Sequence, residues 1–286
     1  MSIKTFFSPT PHSNPEPMGR QVAFRTKGRD HGGITRLVSP GDIGAMIKPF
    51  IFLDLFELHA SRHKMGMHPH SGIATVTVIL DGALAYREST GAQGVLTKDN
   101  VEWMSAGGGI WHQGTPADAS HALGFQLWLA LPPEDENGAS QSQYLSSEQV
   151  PQHGPARVVI GSHGEATSSI RPRASINYLH VRLAGGEVWK YTPPAGHDVA
   201  WIAVASGALR TGGTVIEREV AVFEAGEQAI EVIAQGPTEF VLGSAIKHPH
   251  ELVSGMYSVH TSTTALEQGE REIIRLRDLL FAPHSA

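Results

Sequence analysis

Residues 68–86 read HPHSGIATVTVILDGALAY, and residues 193–211 read PPAGHDVAWIAVASGALRT. Each stretch passes through an apolar run into a Gly-Ala-Leu triplet, at Gly82 and at Gly207. Further on, each half carries an Ala-Gly pair, Ala106-Gly107 and Ala225-Gly226. Matching features in matching order point to two copies of one β unit, with Gly82 and Gly207 as equivalents. Within the first copy, Val76, Val78 and Leu80 alternate with Thr75, Thr77 and Ile79. That is a strand period filled by β-branched residues. The run ends at Asp81-Gly82, a strong hairpin signal, so ALAYRES is expected to turn back on it.

The rest of the chain extends the pattern. FIFLDLFEL (50–58) sets Phe50, Phe52, Phe56 and Leu58 on one face, interrupted by Asp54. GFQLWLAL, ARVVI, NYLHVRL, VAWIAVA, EVAVFEA and TEFVLGSAI are further strands, with Gly or Pro in nearly every gap. One helix is expected near the end. Thr264 and Glu267 fit a capping box, and Leu266, Ile273, Leu276 and Leu280 form an apolar stripe. Many short strands and few helices predict an all-β sandwich or barrel. Residues 132–155, rich in Pro, Ser and Gln, read as the connection between an N-terminal unit (1–131) and a C-terminal unit (156–286).

Composition narrows the function. With 22 Lys+Arg against 28 Asp+Glu the net charge is −6, and no basic run reaches four residues, so nucleic-acid binding is not expected. There is no cysteine, which excludes a disulfide framework, a thiolate nucleophile and a cysteine zinc site. The first residues hold no apolar stretch of signal-peptide length, and no apolar run is long enough to span a membrane. A cytoplasmic location without membrane attachment is the expectation.

The chemistry concentrates in the histidines. In a strand, alternate residues share a face, so His68 and His70 present half a metal site. Surface pairs at this spacing are common, and more is needed. DNVEWMSAGGGIWHQGTP (99–116) supplies it: three glycines allow close backbone approach, and His112 follows them. His68, His70 and His112 would together give three nitrogens and leave positions open, the usual form of a catalytic centre.

HPHSGIATVTVILDGALAYREST, DNVEWMSAGGGIWH and LPPEDENGASQSQYLSSEQVP resemble the pirin family of bicupins, and the resemblance spans most of the chain. LGSAIKHPHELVSGMYSVHTS (242–262) is similar to a divergent copy of the family's C-terminal segment. The resemblance implies two cupin-type jelly-roll β-sandwich domains with a C-terminal helix. It also implies one divalent metal in the first domain, iron foremost, with nickel, manganese or zinc as alternatives. Family members include flavonol 2,3-dioxygenases, nuclear cofactors of transcription and binders of metabolic enzymes. A small aromatic substrate or a protein partner is therefore implied.

The family's three histidine ligands fall on His68, His70 and His112. Its glutamate, two residues after the third histidine, does not carry over, because Gly114 stands there. Many cupins have a glutamate four residues after the second histidine, and here that residue is Ala74. Gln113 is a neutral substitute that alternation turns to the other face. In flavonol dioxygenases that glutamate is also the expected base for the substrate hydroxyl. Turnover is accordingly expected to be weak or absent, and the rival reading is a non-enzymatic bicupin that binds a ligand or a partner.

Other side chains carry less. His59 and His63 are expected in a loop, as proton carriers at most, and His121 in solvent. His197 is set against His70 and lacks a His-x-His partner, so the second unit is expected to be metal-free. Trp103 and Trp111 read as core, or more rarely as pocket wall. GGGI lacks the Lys-Ser/Thr of a phosphate loop. Asp54 and Glu57 are no more than edge or pocket carboxylates.

Overall fold

The computed structural model describes residues 19–60, 62, 66–117 and 121–282. In chain order the first strands are Val22–Thr26 (β1), Arg29–Asp30 (β2), Ile34–Val38 (β3), Phe50–His59 (β4), His68–His70 (β5), Ile73–Glu88 (β6), Gln93–Thr97 (β7), Val101–Ser105 (β8), Ile110–Pro116 (β9), His121–Ala130 (β10) and Gln141–Leu145 (β11). They build a main sheet in the order β11-β8-β6-β10-β4-β3-β2, faced by a smaller sheet in which β9 pairs with β5 and β6, and β6 with β7.

The second sandwich repeats this order. Its main sheet runs β1, Val220–Phe223, Val199–Ser206, Thr238–Ala245, Ile176–Leu183, Ala156–Ile160, Gln152–His153, and its smaller sheet runs Val188–Tyr191, Ile230–Ala234, Leu209–Thr211, Thr214–Ile216. The fold is therefore the all-β bicupin expected from the sequence. The ends of the chain cross over between the halves. β1 edges the second main sheet, at the position that β11 takes in the first. The C-terminal segment returns to the first sandwich, where Ser258 bridges Ser71.

Asp81-Gly82 is not a hairpin, which corrects the expectation. β6 runs unbroken for 16 residues and passes from the main sheet into the small one at this point. The register against β10 slips by one residue between Leu123 and Gly124, a bulge that bends the strand. Gly82 has φ 77°, and a Cβ there would lie 2.0 Å from the His121 carbonyl. Gly207 has φ 76°, and its Cβ would lie 2.4 Å from the Pro237 carbonyl. Both glycines stand where a strand leaves the main sheet against the start of its neighbour. Only a residue without a side chain allows that approach.

The two main sheets pack face to face. Val76, Val78, Phe125 and Leu127 of the first share one core with Tyr178, Trp201, Ala203 and Val241 of the second. Phe50 meets Trp201 edge-on at 5.3 Å between ring centroids. The other face of β6 looks into its own sandwich, so Thr75 and Thr77 are as buried as the valines beside them. The C-terminal helix spans Thr263–Leu280, and its N-cap is Ser262, accepting from the Ala265 N–H at 3.1 Å, rather than Thr264. Ile273 of the expected stripe is buried and Leu280 is exposed, and the helix packs against β9. No helix among the described residues is long and apolar enough to cross a membrane.

Candidate metal centre

β5 and β9 are paired so that His68 lies directly opposite His112. His70, two residues along β5, shares their face, and the three ring centroids are 4.5–5.1 Å apart. One ring nitrogen from each of His68, His70 and His112 lies within 4.8 Å of the others. The structure thus brings together the three histidines singled out in the sequence.

The hydrogen bonds fix which nitrogens are available. The His68 Nδ1–H donates to the Gly66 carbonyl at 3.0 Å, and the His70 Nδ1–H donates to the Tyr257 carbonyl at 2.9 Å. A carbonyl only accepts, so Nδ1 carries the proton and Nε2 keeps its lone pair, the arrangement that readies an imidazole as a ligand. The Nε2 of His112 is buried and has no hydrogen-bond partner. A buried imidazole nitrogen left unpaired costs about 1–3 kcal/mol unless something binds it. Burial pushes His70 down to about 3, helped by the neighbouring His68. Burial also lowers His112 strongly and lowers His68. Three neutral, convergent nitrogen donors with no competing proton fit a divalent cation.

Two further devices hold His70. Its ring meets Trp128 edge-on at 4.8 Å, and Trp128 stacks on Phe52 at 4.0 Å. The segment carrying the Tyr257 carbonyl is clamped by Ser71, whose Oγ lies 2.9 Å from both Ser258 Oγ and His260 Nε2. Glu136 completes the clamp by accepting from the Thr261 N–H and Oγ1 at 2.6 and 2.7 Å. Sequence reasoning missed this strap, since the contacts span nearly 190 residues.

His68 and His112 border a pocket of about 600 Å³, its mouth included, inside the first sandwich. Phe56, Leu58 and Leu84 give it apolar walls. Its floor belongs to a single polar row across six strands. Arg36 pairs with Asp54, Asp54 with Gln126, Gln126 with Thr77, Thr77 with Glu102, and Glu102 with Tyr144 at the far edge. Asp54 is a pocket carboxylate, held by a two-pronged contact from the Arg36 guanidinium, which itself lies 3.9 Å over the Phe52 ring. Burial still pushes Asp54 above the usual carboxylate range. Glu102 is pushed up to about 7, by burial first, with the charge of Glu88 adding and the Thr77 hydrogen bond opposing.

The remaining candidates separate. Gly114 lies on β9 opposite Tyr86 and puts no carboxylate beside the histidines. Gln113 borders the pocket. His59 is exposed, 3.8 Å from Glu57, and His121 accompanies Asp81 at 2.8 Å. His63 lies outside the described residues. Trp103 belongs to the core between the sandwiches, and the Trp111 indole donates to the Ile273 carbonyl at 2.9 Å.

His197 is not the counterpart of His70. The strand Val188–Tyr191 pairs with Ile230–Ala234 as β5 pairs with β9, so Trp189, Tyr191 and Val232 occupy the places of His68, His70 and His112. The loop 192–198 has seven residues where 71–72 has two, which displaces any ungapped comparison. His197 is satisfied by Ser175 and Ser244 at 2.9 and 2.8 Å.

Comparison with known proteins gives the family and the fold. The pirin family profile matches residues 34–129. A pirin-like protein of Caulobacter vibrioides is 30% identical over 202 residues, covering 66% of this chain and 72% of that protein. The chain belongs to the pirin family. Among solved structures, a quercetin 2,3-dioxygenase from Acinetobacter baumannii superposes with a TM-score of 0.77 at 21% identity, over 91% of this pirin and 96% of that chain. The Escherichia coli pirin YhhW, solved in complex with nickel(II), gives 0.65 at 18% identity, over 80% and 99%. At these identities the likeness is one of fold.

Proposed function

We propose that this pirin binds one divalent metal through His68, His70 and His112 and uses it to oxygenate a flat, enolic aromatic molecule of the flavonol kind. The observation that carries the reading is the unpaired, buried Nε2 of His112, clustered with two tautomer-fixed imidazoles beside a largely apolar pocket. When bound, the metal would supply a Lewis acid with open positions for substrate and dioxygen. The chain's own residues do the rest. The apolar walls exclude water, and the polar floor meets the hydroxyls of a ring system that is otherwise apolar. Iron is the first metal to test, and the nickel of YhhW makes nickel the second.

A second reading has its own observation. No carboxylate belongs to the three-donor cluster, so the site carries less negative charge than a cupin dioxygenase with a glutamate ligand. On that reading the protein binds a ligand or a partner without turnover. Metal analysis of untagged protein, followed by oxygen uptake with a flavonol, separates the two. Metal-dependent uptake that disappears in His70→Ala supports the enzyme. Binding of the flavonol without oxygen uptake supports the second reading.

A further inference from the structure

Among the described residues the pocket region holds three buried carboxylates, and they differ in what occupies them. Asp54 is committed to Arg36. Glu88, opposite His112 on β6, accepts from the hydroxyls of Thr90, Ser142 and Tyr144. Glu102 accepts one hydrogen bond, from Thr77 to Oε2, and borders the same pocket as His68 and His112. Its second oxygen, Oε1, is therefore the one carboxylate acceptor there that no described side chain uses.

We propose that Glu102 is the base of this pocket, taking the proton of an enolic hydroxyl that is brought against the histidine cluster, in place of the carboxylate that Gly114 does not provide. The proposal rests on the reading of the pocket as a site for enolic aromatics. In the step, the substrate O–H bond breaks and an O–H bond forms on Glu102. The electron pair stays on the substrate oxygen, which is left as an oxyanion facing His68 and His112. No charge enters or leaves the pocket, which matters where burial makes a net charge expensive.

The surroundings suit the role. Burial and Glu88 hold Glu102 near the middle of the physiological range, where a base is both ionised and able to keep a proton. The groups facing it are Thr77 and Glu88 of β6, Tyr144 of β11 and the Tyr86 ring stacked on Tyr144 at 3.9 Å, with the Arg36–Asp54 pair further along the row. His68 and His112 border the other side of the pocket, and both stay neutral. Among the described residues no cation is in direct contact with Glu102, so its proton affinity is not lowered by an ion pair.

The test follows the proton. Zinc-loaded protein is titrated without dioxygen, so that no oxygenation occurs, with 3-hydroxyflavone at pH 8 by calorimetry in buffers of different ionisation enthalpy. The absorption of the bound probe reports whether it is the flavonolate. If Glu102 keeps the proton, Glu102→Gln releases one proton more per chain than wild type, and its affinity gains a tenfold dependence per pH unit that wild type lacks. Thr77→Val retains the proton as wild type does, with the onset moved to higher pH, because it loses the bond that favours the ionised carboxylate. Equal proton release by wild type and Glu102→Gln, with flavonolate bound to both and equal zinc content, overturns the proposal and leaves the site reading intact. Failure of wild type to bind the probe overturns both.

Discussion

The two sandwiches share one frame and differ in what fills it. In the first, the row across the inner face of the main sheet is Arg36, Asp54, Gln126, Thr77, Glu102. In the second, the same ladder reads Val158, Leu179, Leu242, Ile202, Ala221, all fully buried in one apolar cluster. Thr77 and Ile202 are 125 positions apart, as are Gly82 and Gly207. The small sheets differ in the same sense, with His68, His70 and His112 against Trp189, Tyr191 and Val232. Strand order and the strand-bending glycines are thus set apart from the interior chemistry. The second half spends its inner face on apolar burial, at about 25 cal/mol per Å². The first gives that up for a pocket, and a functional site is where such a concession is expected.

The comparison can be broken from the filled side. Leu179→Asp places in the second sandwich the residue that the first carries at Asp54. The partner position there is Val158 rather than arginine, so the carboxylate is buried unpaired. A loss of about 3–5 kcal/mol is expected in denaturant unfolding. Val158→Arg in the same chain should recover part of it.

From the hollow side the effects are pH-dependent and of opposite sign. Glu102 is raised in the folded protein, so its contribution is fully present at acid pH and is lost as pH rises through about 7. In metal-free protein Glu102→Gln should therefore gain on wild type between pH 5 and pH 9, by up to roughly 3 kcal/mol. His70 is lowered to about 3, so the folded state refuses a proton that the unfolded chain accepts. Stability is then complete above the ordinary histidine range and falls as pH drops below it, by about 2 kcal/mol per such histidine at pH 5. The slope of unfolding free energy between pH 7 and pH 5 should flatten in His70→Asn. A smaller effect belongs to Gly114→Glu. A Cβ there meets Leu84 Cδ2 at 3.3 Å, the end of a side chain that can shift. The added carboxylate should tighten metal binding by at least about tenfold in a competition titration.

Much of this was legible in the sequence, and what was not has a physical cause. Period-two alternation gives the strands, and the repeated Gly-Ala-Leu gives the duplication, because both are local. His68, His70 and His112 are legible because a strand puts alternate residues on one face. Asp81-Gly82 misleads: a turn dipeptide and a strand-bending bulge need the same glycine, and only the neighbouring strand decides between them. Glu102 is hidden for a different reason. Asp54, Thr77, Glu102 and Gln126 lie in four separate strands, and register alone gathers them into one floor. An acidic residue inside the apolar run VEWM was the available signal. The Tyr257 carbonyl behind His70 could not be foreseen from any spacing.

The central claim is that one of two like-folded halves holds the metal and the other is packed shut. Metal titration of untagged wild type, His112→Ala and His197→Ala at neutral pH tests it most directly. The account predicts one equivalent per chain in wild type and in His197→Ala, and a loss of at least about 100-fold in affinity in His112→Ala, beyond the cost of a supporting contact. Two equivalents in wild type, or unchanged binding in His112→Ala, would contradict it.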